Sequence, residues 1–175
     1  LLAARKDLKA ITMTEVEEAT IKVVVGAEKK SRVMSDAEKK LTAYHEAGHA
    51  IATYFCPTQD PVHQISIIPR GMAGGFTMSL PSEDKSYRSK KEMKEDIVVL
   101  LGGRVAEALI IGDISTGASN DIERATKLAF AMVAQYGMSD TLGPIAYSTD
   151  DSNVFLGKDC LLYTSPSPRD AHESR

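Results

Sequence analysis

The sequence predicts a mainly α-helical domain that carries one small β-sheet. Apolar residues recur at helical spacing in three stretches, over residues 35–55, 89–111 and 122–136, and each stretch is bracketed by start or stop signals. Between the first two, residues 62–68 alternate and are rich in β-branched side chains, and a glycine pair then leads into a second short apolar run. Hydrophobic content of 43% in 175 residues is enough for a soluble globular core. A net charge of −3 gives no reason to expect nucleic acid or an acidic membrane surface as partner. No apolar run approaches the length of a membrane span, and no secretory signal opens the chain.

Residues 1–25 read as helical, with Thr12 and Glu15 as a capping box, apolar positions at Val16, Ala19, Ile21, Val23 and Val24, and Gly26 as the stop. The charged stretch that follows has no period and reads as a linker, so the main domain is expected to begin near Met34. A start at Leu1 without Met suggests a piece of a longer protein. Ser35 and Glu38 form a second capping box before Leu41, Tyr44, Ala47 or Gly48, Ile51 and Phe55, and Pro57 stops that helix. The strand over 62–68 is closed by Pro69 and Gly71, with Gly74-Gly75-Phe76-Thr77-Met78 as its hairpin partner. In the helix over 89–111, the pair Gly102-Gly103 implies close packing or a break. A polar loop then leads to a helix whose apolar face holds Ile122, Ala125, Leu128, Ala129, Met132 and Val133, ended by Gly137.

The chemistry is concentrated in His45-Glu46-Ala47-Gly48-His49. Residues four apart share a helix face, so both imidazoles can aim at one point, and neutral imidazole is a common ligand for Zn²⁺. Glu46 would sit beside the ion, where a carboxylate can take a proton from water that the ion has acidified. Gly48 costs a helix interior about 1 kcal/mol relative to Ala, which suggests that something approaches the backbone there. Two histidines leave such a site one protein ligand short. His63 alternates with apolar neighbours and reads as a surface strand residue, while Glu107 and Asp121 both qualify, and spacing does not decide between them. The longer metzincin pattern is disfavoured, because no third His follows at the needed offset. Cys56 and Cys160 form no C-x-x-C pair, so neither a disulfide framework nor a cysteine zinc site is suggested.

Five segments, AYHEAGHA, VHQISIIPRG, GGRVAEALI, STGASNDIERAT and YGMSDTLGPIAY, occur in that order and closely resemble the proteolytic domain of the FtsH family of membrane-anchored AAA metalloproteases. The likeness runs from about Met34 to Gly157. It implies a helical zinc-metalloprotease domain with His45, His49 and Asp121 as ligands of one Zn²⁺, Glu46 as general base, and Glu107 supporting a ligand from behind. It also implies unfolded polypeptide substrates, a homo-hexameric parent, and membrane attachment through segments absent here. The domain would face the cytoplasm, or the matrix or stroma in an organelle. ATP and Mg²⁺ would serve only the intact parent, because this chain has no G-x-x-x-x-G-K-[ST]. Residues 1–33 look like the end of the family's helical lid with its linker, and 34–159 like the truncated protease domain. Residues 160–175 resemble nothing in the family and read as a non-native tail, so His172 is not counted as a ligand. Substrate is expected to lie extended along the strand at Ile65, Ser66, Ile67 and Ile68. One alternative is a non-catalytic oligomerisation or interaction module with structural zinc, which would need no base at Glu46. A small-molecule zinc hydrolase is a third reading, disfavoured if an open strand edge replaces a closed pocket.

Overall fold

Start and stop signals in the chain set most of the element ends. The computed structural model describes residues 1–147 apart from Lys30, Arg32 and Met72. Cys160, His172 and the expected tail lie outside the described residues.

The expected helix over residues 1–25 is two helices, α1 (Leu2–Arg5) and α2 (Met13–Val24). The chain breaks between them at Asp7, which takes a left-handed φ of 52° that Asp tolerates better than most residues. α2 restarts at Thr12, where Thr12 and Glu15 form the expected capping box. Gly26, at φ 109°, then turns the chain. The stretch that follows is not free of the domain: Lys29 N donates to Pro69 O at 2.9 Å, and Gly71 N donates to Ala27 O at 3.1 Å. Ile21 of α2 buries against Phe76 and Met78, with Val25 packed beside them.

α3 (Asp36–Phe55) starts where Ser35 Oγ accepts from Glu38 N, and it ends at extended Cys56 before Pro57. Two antiparallel strands follow, β1 (Val62–Ser66) and β2 (Phe76–Ser79), with Ile65 opposite Thr77 and Ser66 opposite Phe76. β1 is shorter than expected. Ile67 and Ile68 leave the ladder because Ile68 N bonds to Ser66 Oγ, at 3.1 Å, instead of to a partner strand.

α4 (Lys90–Ala106) is opened by a Ser89/Glu92 capping box and runs into one π-helical turn, Glu107–Ile111, stopped by Gly112 at φ 76°. The glycine pair is a packing device. A methyl at Gly102 would lie 2.7 Å from Gly48 O, and one at Gly48 would strike the Gly102 carbonyl, so α3 and α4 cross backbone against backbone. A 3-10 turn, Thr116–Ala118, then leads into α5 (Ser119–Ala134), which begins three residues before the expected start. α5 also buries a narrower stripe than expected. Ala125, Met132 and Ala134 are buried and Leu128 is half-buried, while Ile122, Ala129 and Val133 stay exposed because α5 packs chiefly on α4 among the described long helices. Gly137 turns the chain at φ 59°. The described residues thus form the expected mainly helical domain with a small sheet.

Candidate metal centre

Helical spacing puts His45 and His49 on the face of α3 that meets α4. Their Nε2 atoms stand 3.1 Å apart. Asp121, in the first turn of α5, brings its Oδ2 to 3.4 Å from His45 Nε2 and 3.6 Å from His49 Nε2. A tetrahedral shell of bonds about 2.0–2.2 Å long spaces its donors about 3.3 Å apart, so these three atoms already form one face of such a shell. Two imidazoles and one carboxylate are donors that suit zinc, and they leave a fourth position for water or substrate.

Each ring is held from behind. His45 Nδ1 lies 2.7 Å from Glu107 Oε1, and His49 Nδ1 lies 2.7 Å from the Val99 carbonyl. With Nδ1 donating, each Nε2 presents its lone pair to the shared point. Glu107 is almost fully buried and is itself fixed, because Ser115 N donates to its Oε2 at 2.7 Å and Ser115 Oγ to its Oε1 at 3.1 Å. Gly103 completes the cradle: a methyl there would lie 2.6 Å from His49 Nε2 and 2.7 Å from His45 Nε2.

The charges respond to this crowding. The Asp121 carboxylate raises His45 above its ordinary range against the opposing effect of burial, with Glu107 adding to the rise. Burial pushes His49 down, but Asp121 and the Val99 carbonyl prevail and the net shift is upward. For Asp121 burial acts upward, yet the two imidazoles together hold the carboxyl well below the usual carboxylate range. Glu46 lies next to His45 in sequence but on the sheet side of α3, buried, and its Oε2 accepts from Thr77 Oγ1 at 2.8 Å. Burial raises its proton affinity against the pull of Thr77 and the two histidines.

A cleft opens over these groups. It is lined by His45, Glu46, His49 and Asp121, with Gly74, Gly75, Phe76, Thr77 and Ser79 along one wall. Ile65, Ser66, Ile67 and Ile68 do not line it. The strand beside the cleft is β2, because β1 turns Ile65 outward on its exposed face, and Ile67 and Ile68 lie beyond the strand's end. His63 is exposed on β1, away from the site. Sequence reasoning missed Thr77, Ser115 and the Val99 carbonyl. None has a local signature, whereas Gly103 was flagged by the glycine pair without its use being legible.

The profile of peptidase family M41 matches residues 32–172. The chain belongs to this family. It is 61% identical over 159 residues to ATP-dependent zinc metalloprotease FtsH 1 of Thermoanaerobacter sp., which covers 91% of this chain and 26% of that protein. It is 58% identical over 173 residues to the FtsH of Caldicellulosiruptor bescii, covering 99% of this chain and 28% of that protein. FtsH 2 of Alkaliphilus metalliredigens is 63% identical over 159 residues, which is 91% of this chain and 23% of that protein. The M41 chain therefore spans about a quarter of the length of these relatives. The resemblance read from the five motifs is borne out, and with it the expectation of a metallopeptidase. Among the described residues, no helix is long and apolar enough to cross a membrane.

Proposed function

We propose that this chain is the zinc-dependent endopeptidase portion of an ATP-dependent protease of the FtsH type, cutting peptide bonds within unfolded polypeptides. The observation that carries the reading is the triangle of Nε2, Nε2 and Oδ2 atoms with a buried carboxylate one residue from its first member. His45, His49 and Asp121 would hold the ion. Zinc bound there would lower the pKa of its water towards about 7 and polarise the scissile carbonyl. Glu46 takes a proton from the attacking water and returns it to the departing amine nitrogen. Its raised proton affinity supports that task, since a base in the ordinary carboxylate range would hold the proton poorly. Glu107 and the Val99 carbonyl keep the rings aimed.

In this reading an extended peptide adds to the cleft side of the sheet through main-chain hydrogen bonds, which hold it without demanding a sequence. The lining by Gly74 to Thr77 supports the β2 side, with Ile65, Ser66, Ile67 and Ile68 backing the sheet rather than touching substrate. Residues 34–159 form the peptidase unit, within the stretch 32–172 that the M41 family matches, and 1–33 join it to an ATPase segment. ATP with Mg²⁺, assembly into a ring of six and attachment to a membrane would belong to a longer protein, with the peptidase on its cytoplasmic, matrix or stromal side.

Bound zinc per chain, measured by elemental mass spectrometry, tests the ligand set. The chain should bind one zinc, Asp121→Ala should lose it, and Glu107→Ala should weaken affinity by roughly 10- to 100-fold. Glu46→Gln should keep its zinc and lose roughly 10²- to 10⁴-fold in cleavage of an unfolded protein. Loss of zinc in Glu107→Ala alone would move the third ligand to α4's end, and cleavage by Glu46→Gln would remove Glu46 as the base.

A further inference from the structure

The helix that carries Glu46 does not by itself fix where its carboxylate points, because a Glu side chain has three rotatable bonds. Fixation comes from across the cleft. Thr77 Oγ1 stands 2.8 Å from Glu46 Oε2 and 3.0 Å from the main-chain oxygen of the same residue, so one hydroxyl contacts both ends of the side chain's path. A second restraint comes from Gly75. A methyl there would lie 3.0 Å from Glu46 Cγ and 2.7 Å from Ser66 O, so the absence of a side chain leaves room for the Glu46 stem between α3 and the hairpin. Glu46 Oε1 takes no hydrogen bond among the described residues, and Glu46 lines the cleft.

We infer that Thr77 is the positioning residue of the M41 base: its hydroxyl pins Oε2 of Glu46 to β2, so that Oε1 alone is offered to the attacking water. This rests on the assignment of Glu46 as general base. The consequence is a direct tie between substrate and base. Thr77 belongs to the strand that lines the cleft, so a peptide that adds to that strand docks on the main chain whose side chain aims the base. A base misplaced by about 1 Å loses rate without losing substrate, since the peptide is held by main-chain hydrogen bonds that Thr77's side chain does not make.

The experiment compares Thr77→Val, an isostere without the hydroxyl, with Thr77→Ser, which keeps it, in the zinc-loaded chain cleaving an unfolded polypeptide. Glu46→Gln is the control. Thr77→Val should lower kcat by roughly 10- to 100-fold with KM and zinc content unchanged, and Thr77→Ser should recover most of the rate. A kcat within twofold of the unsubstituted chain in Thr77→Val, with Glu46→Gln inactive, overturns the positioning role and leaves the assignment of the base intact. Activity in Glu46→Gln instead removes the base, and the inference falls with it. A readout independent of activity is a double-mutant cycle on denaturant unfolding of the metal-free chain with Thr77→Val and Glu46→Ala, since a glutamine at 46 would still accept from the hydroxyl. The two changes should be non-additive, because each removes one partner of a single contact. Strict additivity would mean that the hydroxyl does not hold the carboxylate in solution, and it would overturn the inference whether or not the chain is active.

Discussion

At Gly103 the missing side chain is the functional feature. The two imidazoles and Asp121 converge on a point that only a residue without Cβ leaves open, since a methyl there would press on both Nε2 atoms at once. Relief would require both rings to swing away from Glu107 and the Val99 carbonyl, breaking the bonds that aim them. Gly103→Ala is therefore expected to cost zinc affinity far more than stability. Titration with a chromophoric chelator should show a loss of at least about tenfold, the scale seen when a group that orients a ligand is removed. Unchanged affinity would mean that the rings have room to spare. Glu107 illustrates the same logic from the other side. Its buried side chain has hydrogen bonds from Ser115 and a contact with His45, so the group behind the ring is itself held in place.

Between elements, the decisive contact is the crossing of α3 and α4 at Gly48 and Gly102. Helices normally pack 8–10 Å apart with side chains between them, and glycine at both sides of a crossing lets the backbones close further. That closeness brings Val99 within reach of His49 and carries Glu107, at the end of α4, to His45. Gly48→Ala places a methyl against the Gly102 main chain, which has no rotamer with which to yield, so the helices must separate. Overpacking of this kind costs about 1–3 kcal/mol, and here the cost is expected at the upper end despite alanine's better helix propensity. Denaturant unfolding of the metal-free chain would measure it, and a stabilised Gly48→Ala would show that the crossing is looser than described. The extended β1 face has no comparable role at the site, because β2 forms the cleft wall.

Across the whole molecule, zinc competes with protons for one cluster. In the metal-free chain His45 and His49 have raised pKa values and Asp121 a lowered one. A raised histidine stabilises the fold fully below its unfolded value of about 6.5 and loses that contribution as pH rises through the folded value. A lowered carboxylate stabilises above its unfolded value of about 3.9 and fails as pH falls through the folded one. The cluster thus helps the metal-free fold most between roughly pH 4 and 6.5, the window in which zinc must displace protons to bind. Calorimetric titration with zinc in buffers of different ionisation enthalpy should show proton release at pH 6.5 that shrinks as pH rises above the raised histidine values. Proton uptake, or release that does not vary with pH, would contradict the charge state described for the cluster.

The sequence by itself determined what depends on neighbours along the chain. The capping box at Thr12, the stops at Pro57 and Gly137, and the shared face of His45 and His49 all follow from bonds and spacings within about one helical turn and stand as read, and of the box read at Ser35 the bond from Glu38 N to the hydroxyl is present. The hairpin was legible for the same reason, although its first strand ends at Ser66 because a side chain competes for the ladder there. Only the tertiary structure decided which distant groups meet. Glu107 and Asp121 were equal candidates by spacing, and the α3–α4 crossing sends one behind His45 while α5 brings the other to both Nε2 atoms. Thr77 and the Val99 carbonyl carry no local mark, because a hydroxyl or a main-chain oxygen becomes specific only through what packing places opposite it.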